Sequence, residues 1–367
     1  MSKDILVVGA GPTGLTGAIE LARRGIRPRI VSANDGTVHE SRALAINRRS
    51  LRILKPCGAA ERLLKIGLRA KGVHLHTAEK ELFHIPIPDA GEPFPLLLVA
   101  PQSRIEEVLV DVLGGYGIEV EWRTSLETVS DPSAPEARLR GPAGAEITMP
   151  DLLVAADGAH SLVRHQLGIG FPGSAYETEW GLADVRIRTG LSLDEAHAFD
   201  LAPVLFVMIP IRDNLVRFIS DHRNVLNHVP GEIEVRSVEW ESPFRISHRQ
   251  AETYQKGNVF LAGDAAHVHS PVGARGMNLG IEDAAWLAWL IAENKTERYT
   301  ALRWPVGRHV LRAVDPATRL MAADSAPLKF LRRHVLPRVI SYAPLRRRLI
   351  DRIVGTDTPE PAWLDGA

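Results

Sequence analysis

The stretch NVFLAGDAAHVHSPVGARGMNLGIEDA, Asn258 to Ala284, decides the fold. Val259 to Ala262 is a short continuous apolar run, the pattern of a strand covered on both faces. Gly263-Asp264 ends that strand, a loop carrying Pro271, Gly273 and Gly276 follows, and a helix begins at about Gly276. A carboxylate just past a buried strand is placed to accept hydrogen bonds from ligand hydroxyls. A helix that starts after a glycine-rich loop turns unpaired N–H groups and a positive dipole toward whatever lies before it.

Working outward, the start of the chain repeats this architecture. Ile5 to Val8 is apolar, GAGPTG spans Gly9 to Gly14, and Leu15, Ile19 and Ala22 recur at helical spacing before Gly25. Gly9 permits the tight turn, Gly11 lets the backbone approach a diphosphate, and Gly14 lets helix pack on strand. The helix start then supplies the anion-binding donors. Arg29 to Ser32 reads as the second strand. An acid is expected at its end to bind ribose hydroxyls, but Ser32 stands there, with Asp35 able to reach back. A third strand end, Ala155 to Arg164 (AADGAHSLVR), places Asp157 either as a cap on the corner or as a cofactor contact. The Gly9–Gly14 and Gly263-Asp264 turns, far apart in sequence, point to one long cofactor held from both ends, and FAD fits best. Asp264 would accept from ribitol hydroxyls, and the loop N–H groups would meet the electron-rich edge of an isoalloxazine.

From Tyr176 to Ser247 short apolar or alternating runs predict an antiparallel sheet inserted into the cofactor unit. The expected fold class is α/β: an FAD-binding Rossmann-like three-layer domain, an inserted mostly antiparallel β-sheet substrate domain and a C-terminal helical segment. The boundaries are 1–175 with 248–325, then 176–247, then 326–367, with 70–100 open to joining the substrate sheet. Ser50 to Gly67 reads as helix interrupted at Pro56 and Gly58. Ser103 to Leu113 reads as helix, with Ser103 and Glu106 as a capping box. Thr358 to Ala367 is expected to fray. The segment Lys329 to Arg352, basic and broken by Pro337 and Pro344, reads as helices packed on the body rather than on a membrane.

Composition excludes several classes. Lys plus Arg and Asp plus Glu both number 44, so nothing marks a polyanionic partner such as nucleic acid. One cysteine, Cys57, allows no internal disulfide. No apolar run approaches the roughly 20 residues needed to span a bilayer. The first strand starts too early for a leader, and a cytoplasmic protein is expected, either monomer or homodimer. His267 and His269 read as turn or packing residues, and no metal ligand set is read from the sequence.

With these motifs in order, the chain resembles the group A FAD-dependent aromatic monooxygenases, the para-hydroxybenzoate hydroxylase-like family. The match extends to SRALAINRRSLRIL and PQSRIEEVL. The resemblance implies NADH or NADPH and O2 as co-substrates. It also implies a small aromatic substrate, phenol-like or polycyclic, hydroxylated through a flavin C4a-hydroperoxide. It places Arg42, Gln102 and Arg104 at flavin contacts, with Asp157, Asp264, Gly276, Met277 and Asn278 also at the cofactor. Pro271 and Gly273 would floor the oxygenation site, and Arg42 would guard flavin movement. Trp180, Phe206, Met208 and Phe218 are candidates to line the substrate pocket, and Tyr176, His222 and His248 stay open as its base. The sequence departs from the family at Ser32, at Ala274-Arg275, in the short Ser220–Val235 segment and in ending before any thioredoxin-like domain. Alternatives are another flavoenzyme on the fold, a halogenase or a double-bond reductase, then a flavin-free dehydrogenase, then a binding protein without cofactor.

Overall fold

The computed structural model describes residues 3–38, 43–88, 92–201, 204–271 and 273–321, then 330–331, 335, 338–339, 342–361 and 363–364. Its centre is a six-stranded sheet in the order Gln255–Lys256, Val259–Leu261, Leu152–Ala155, Ile5–Val8, Arg29–Val31, Val120–Glu121. All neighbours run parallel except the Gln255–Lys256 edge. Ile5–Val8 and Leu152–Ala155 are buried at every residue, because helices or sheet cover both faces. This order sets the ends of three adjacent strands side by side, each followed by one of the glycine turns. Ligands of open parallel sheets bind just beyond such strand ends.

Helix Pro12–Arg23 lies against helix Gly276–Ala292. A Cβ on Gly17 would sit 3.6 Å from that of Ala284, and one on Gly280 would strike Thr13 Oγ1 at 2.3 Å. The close approach of the two helices therefore depends on Gly280.

An eight-stranded sheet runs His267–Val268, Ile233–Gln250, Gly173–Thr189, Leu215–Ser220, Leu205–Arg212, Ala196–Asp200, Gly72–Thr77, Glu81–Pro86. It is antiparallel except where Gly72–Thr77 joins Ala196–Asp200. Leu97–Val99 pairs instead with Ala45–Asn47 and Leu68–Arg69 in a small separate sheet. Side chains alternate along each strand, so the large sheet carries two apolar clusters. One gathers Ala183, Val185, Phe199, Phe206, Met208 and Phe218 under Val225. The other gathers Trp180, Leu182, Leu205, Phe244 and Ile246, with Val207 and Ile219 partly exposed. Within 220–235 the chain forms one short 3-10 turn, Val225–His228.

The interruption after Ser50 is as read, with helices Arg48–Leu54 and Ala59–Ile66 and Gly58 at φ +77°. Two local expectations fail. Ser103 does not cap its helix, which runs Gln102–Gly115 with Pro101 in the cap position. Glu106 instead accepts from Gln102 Nε2 at 2.8 Å and from the Val38 amide at 2.9 Å. The tail past Thr358 is docked over its described residues, not frayed. Arg49 donates to Thr358 Oγ1 at 2.6 Å and to its carbonyl at 2.9 Å. Trp363 stacks on Trp289 at 5.1 Å, a partner that tail composition does not reveal. Pro344 lies in the first turn of helix Ala343–Val354, where a missing N–H breaks nothing. Among the described residues, no helix is long and apolar enough to cross a membrane.

Candidate active site

The cradle at the strand ends is made of backbone. Gly9 has φ +104°, and a Cβ there would lie 2.2 Å from the Ala156 carbonyl oxygen. A Cβ on Gly14 would lie 1.9 Å from the Gly9 carbonyl oxygen. Gly11 is different: nothing stands within 4 Å of the Cβ it lacks. It begins helix Pro12–Arg23 with no side-chain cap and no acid in the first turn. That helix start keeps its donors for an anion, which is the requirement of a diphosphate. Gly263, at φ +61°, presses its turn against Thr13, where a Cβ would meet Oγ1 at 2.5 Å. Asp264 is exposed although Gly263 and Ala265 on either side are buried. A carboxylate held out of a buried turn beside an uncapped helix start suits a polyol diphosphate, so the residues present fit FAD.

The Asp157 turn is fastened to the Gly263 turn. Arg164 donates from Nη1 to the Ala265 carbonyl and from Nη2 to the Ala159 carbonyl, both at 2.9 Å, and its guanidinium lies 3.8 Å over the Phe171 ring. The sequence shows Arg164 in its motif but not this bridging role. Asp157 divides its two oxygens. Oδ2 accepts from the Val163 amide at 3.2 Å, whereas Oδ1 is buried without a partner. Burial pushes this carboxyl above its usual range despite those hydrogen bonds.

Beneath the Gly263 turn lies a buried ionic group. Asp283 receives His267 Nε2 at 2.6 Å, Arg303 Nε at 2.7 Å and the Gly263 amide at 3.3 Å. Burial alone would raise the Asp283 carboxyl, but Arg303 and then His267 outweigh it and hold it low. His267 is thus a packing and pairing residue. His269 holds the Ser270 carbonyl through Nδ1 at 3.0 Å, and its Nε2 is buried without a partner. Burial, then the neighbouring His267, lowers the His269 imidazole to about 3, so it is neutral.

The loop before the second helix has Gly273 at φ +85° and Ala274 at φ +53°. Arg275, which is buried, pairs with Asp357 at 2.7 Å and reaches the Arg352 carbonyl, so this loop is tied to the C-terminal segment. Gly276 opens its helix without a side-chain cap. The Asn278 side chain is fully engaged: it donates to Ala45 and Ala274 carbonyls at 3.0 and 2.7 Å and accepts from the Asn47 amide at 2.9 Å. Only its backbone is left to face a cofactor. Met277 packs, partly buried, on the main core, and Pro271 is exposed.

Other expected contacts are less well placed. Arg42 lies outside the described residues. Ser32 is buried and its Oγ accepts from the Asn34 amide at 3.3 Å. Gln102 is turned onto Glu106, and exposed Arg104 pairs with Glu107 at 2.7 Å.

The four pocket candidates do not form one wall. Phe206, Met208 and Phe218 are wholly buried in one cluster, and Trp180 stands in the opposite one. The reason is pleat parity, which register fixes and a single strand does not show. The Trp180 face runs on along its strands toward Leu44 and Val99 of the small sheet. Ile209, two residues from Val207 on the same strand face, packs on Leu44 and Val99. Val207, Ile219 and Phe244 are therefore the missed candidates. Of the possible bases, Tyr176 donates to Asp315 at 2.6 Å. His222 stands edge-on to His228, beside the turn that covers the Phe218 face. His248 borders a separate cleft of about 460 Å³ with Trp304 and Arg308.

This combination defines a dinucleotide-binding fold with an inserted sheet. The FAD binding domain family matches residues 2–218 and 221–313, and the chain belongs to it. It is 33% identical over 381 residues to 6-methylpretetramide 4-monooxygenase of Streptomyces rimosus, across 96% of this chain and 68% of that protein. It is 30% identical over 339 residues to pentachlorophenol 4-monooxygenase of Sphingobium chlorophenolicum, across 84% of this chain and 63% of that one. Anhydrotetracycline hydroxylase from Streptomyces rimosus superposes with a TM-score of 0.79 at 28% identity, over 98% of this chain and 77% of that chain. The chain thus spans about two thirds of the length of the first two relatives. The family is that of the FAD-dependent aromatic monooxygenases.

Proposed function

We propose that the protein uses FAD, NADH or NADPH, and O2 to hydroxylate a small electron-rich aromatic compound, phenol-like or polycyclic. The joined cradle carries this reading: the Gly9, Asp157 and Gly263 turns meet at the ends of adjacent parallel strands. The names of the relatives, which include a pentachlorophenol and a pretetramide monooxygenase, support the aromatic class. FAD, when bound, accepts a hydride from the nicotinamide and activates O2 for transfer.

The chain's own residues bind, orient and exclude water. The uncapped start of helix Pro12–Arg23 holds the diphosphate, and Asp264 accepts from ribitol hydroxyls. The Gly276 helix start, with Pro271 and Gly273 before it, would hold the ring end of the cofactor. The sheet face of Trp180, Val207, Ile219 and Phe244 closes the other side and keeps it dry. The same reading assigns 1–175 and 248–325 to the cofactor unit, 176–247 to the substrate sheet together with the strands between 72 and 86, and 326–367 to the C-terminal segment.

The test is a panel of phenols and polycyclic aromatics with purified protein, NAD(P)H and labelled O2. The expected result is bound flavin and a product carrying one labelled oxygen atom. Protein that purifies without flavin and cannot be loaded, or a product never labelled from O2, overturns the reading.

A further inference from the structure

His267–Val268, next to the cradle, is one edge of the eight-stranded sheet, and Glu81–Pro86 is the other. At that second edge an unexpected cluster assembles. Register puts His74 opposite His84 on one side and opposite His197 on the other. The His74 ring stacks on both, at 4.3 and 4.8 Å. Glu195 bridges two of them, with Oε2 at 2.7 Å from His74 Nε2 and Oε1 at 2.8 Å from His84 Nε2. Glu81 Oε1 lies 3.2 Å from His74 Nδ1. Gly72 makes room: a Cβ there would come within 2.4 Å of Glu195 Oε1 and 2.5 Å of His84 Nε2.

His74 therefore faces a carboxylate at each ring nitrogen. A neutral imidazole has one N–H, so the two contacts call either for a second proton on His74 or for a metal ion at one of its nitrogens. The neighbouring pair has no such conflict. His197 Nε2 donates to the Ser192 carbonyl at 2.9 Å, and its Nδ1 accepts from His76 Nε2 at 3.0 Å. Two overlapping triads, His74–His76–His197 and His74–His84–Glu195, each bring their ligand atoms within 4.8 Å. Only the second contains a carboxylate.

We propose that His74, His84 and Glu195 bind one divalent transition-metal ion of the zinc class. Two imidazoles and a carboxylate are a usual donor set for that ion. Glu81 lies 3.2 Å from His74 Nδ1 without a hydrogen bond between them, and a small turn of its carboxylate would let it accept that proton and fix which nitrogen faces the metal. An ion about 2.0–2.2 Å from each donor in tetrahedral geometry sets donors about 3.3–3.6 Å apart, so the present contacts of 2.7 and 2.8 Å must open by roughly half to nearly one ångström. His84 is 36% exposed, so the ion has an entry path and room for water as a further ligand. Its effect is to clasp the hairpin Gly72–Pro86 to the segment before strand Ala196–Asp200, far along the sheet from the flavin.

The experiment uses tag-free, FAD-loaded protein treated with a chelator and titrated with Zn²⁺ by calorimetry, with metal content measured after gel filtration. One equivalent of zinc is expected, with a rise in melting temperature on binding. Glu195→Gln and His84→Ala should each weaken binding at least about a hundredfold, and Glu81→Gln about tenfold. His76→Ala should leave it unchanged. Flavin absorbance and circular dichroism report whether each variant is folded, and X-ray absorption of the zinc-loaded wild type reads the donor shell without any variant. No stoichiometric binding by the wild type, or binding lost in His76→Ala but kept in Glu195→Gln, overturns the proposal. Loss of zinc binding with normal flavin content would leave the monooxygenase reading untouched.

Discussion

Around Gly9 and Gly14 the atoms that shape the site are backbone atoms, and around Gly263 they are those of the small Thr13 side chain. Their neighbours are so close that each missing Cβ would lie within 1.9 to 2.5 Å of one. In the eight-stranded sheet the shaping atoms are side chains, sorted to two faces by the pleat. One face is sealed around Phe206, Met208 and Phe218, and the other keeps Val207 and Ile219 partly exposed. The difference teaches which substitutions should change cofactor binding, which stability, and which substrate choice. A backbone cradle has little latitude, whereas the open sheet face is free to vary with the substrate.

The largest effect tests what holds the cradle in place. Arg303→Met removes the shared guanidinium and leaves buried Asp283 with His267 and buried Glu282 with Arg49 at 3.6 Å. Removing one partner of a buried pair costs about 3–5 kcal/mol. Urea unfolding should show that loss, with flavin released early because Asp283 also holds the Gly263 amide. A variant of unchanged stability would mean that the turn is held by its glycines alone.

Phe218→Ala should cost nearly as much, about 3–5 kcal/mol for a buried aromatic, and should leave substrate KM and flavin content unchanged. A changed KM at full flavin occupancy would move the substrate to the sealed face. This pair of faces also marks the limit of what the sequence reveals. Glycine turns are legible because each constraint is local: Gly9, Gly14 and Gly263 announce their own geometry. Side-chain facing is not local. It depends on the register of four strands, and bulges between Asp184 and Val185 and between Arg186 and Ile187 shift it. The same reason hides the His74–His84–Glu195 cluster and the docking of Trp363 on Trp289.

Asp264→Ala should lower FAD affinity about ten- to hundredfold, the loss of charge-assisted hydrogen bonds of about 1.5–3 kcal/mol each. The flavin-free protein should keep its melting temperature, because this side chain is exposed. Unchanged flavin affinity would remove the carboxylate from the cofactor site and leave the cradle with the diphosphate alone.

Acid should act through His269. Its folded value near 3 lies below its ordinary 6.5, so the unfolded chain binds more protons between those limits. Its contribution is fully present above about 6.5 and is lost as pH falls toward 3. His269→Asn should leave stability at pH 7 nearly unchanged and flatten the decline in that window. An unaltered pH profile of unfolding would place the acid sensitivity elsewhere, with Asp283 as the next group to test.

The smallest expected effect is the one that separates the two faces most cleanly. Val207 and Phe206 are neighbours in sequence and point to opposite sides of one strand. Val207 is only partly buried and shares its face with Ile209, which meets Leu44 and Val99. Val207→Ala removes two methyl groups from the proposed substrate wall and leaves the sealed cluster untouched. Losing that contact should cost about 1 kcal/mol of substrate binding, or a several-fold rise in KM. The unfolding free energy should fall by less than it does for Phe218→Ala, since less buried surface is lost. The informative readout is the ratio between a compact phenol and a bulkier polycyclic compound. A wider wall should penalise the phenol, which loses its packing, and spare or favour the larger ring. Equal changes for both compounds, or a change confined to stability, would show that Val207 does not touch substrate, and the face assignment would fail at the residue where it is most exposed to test.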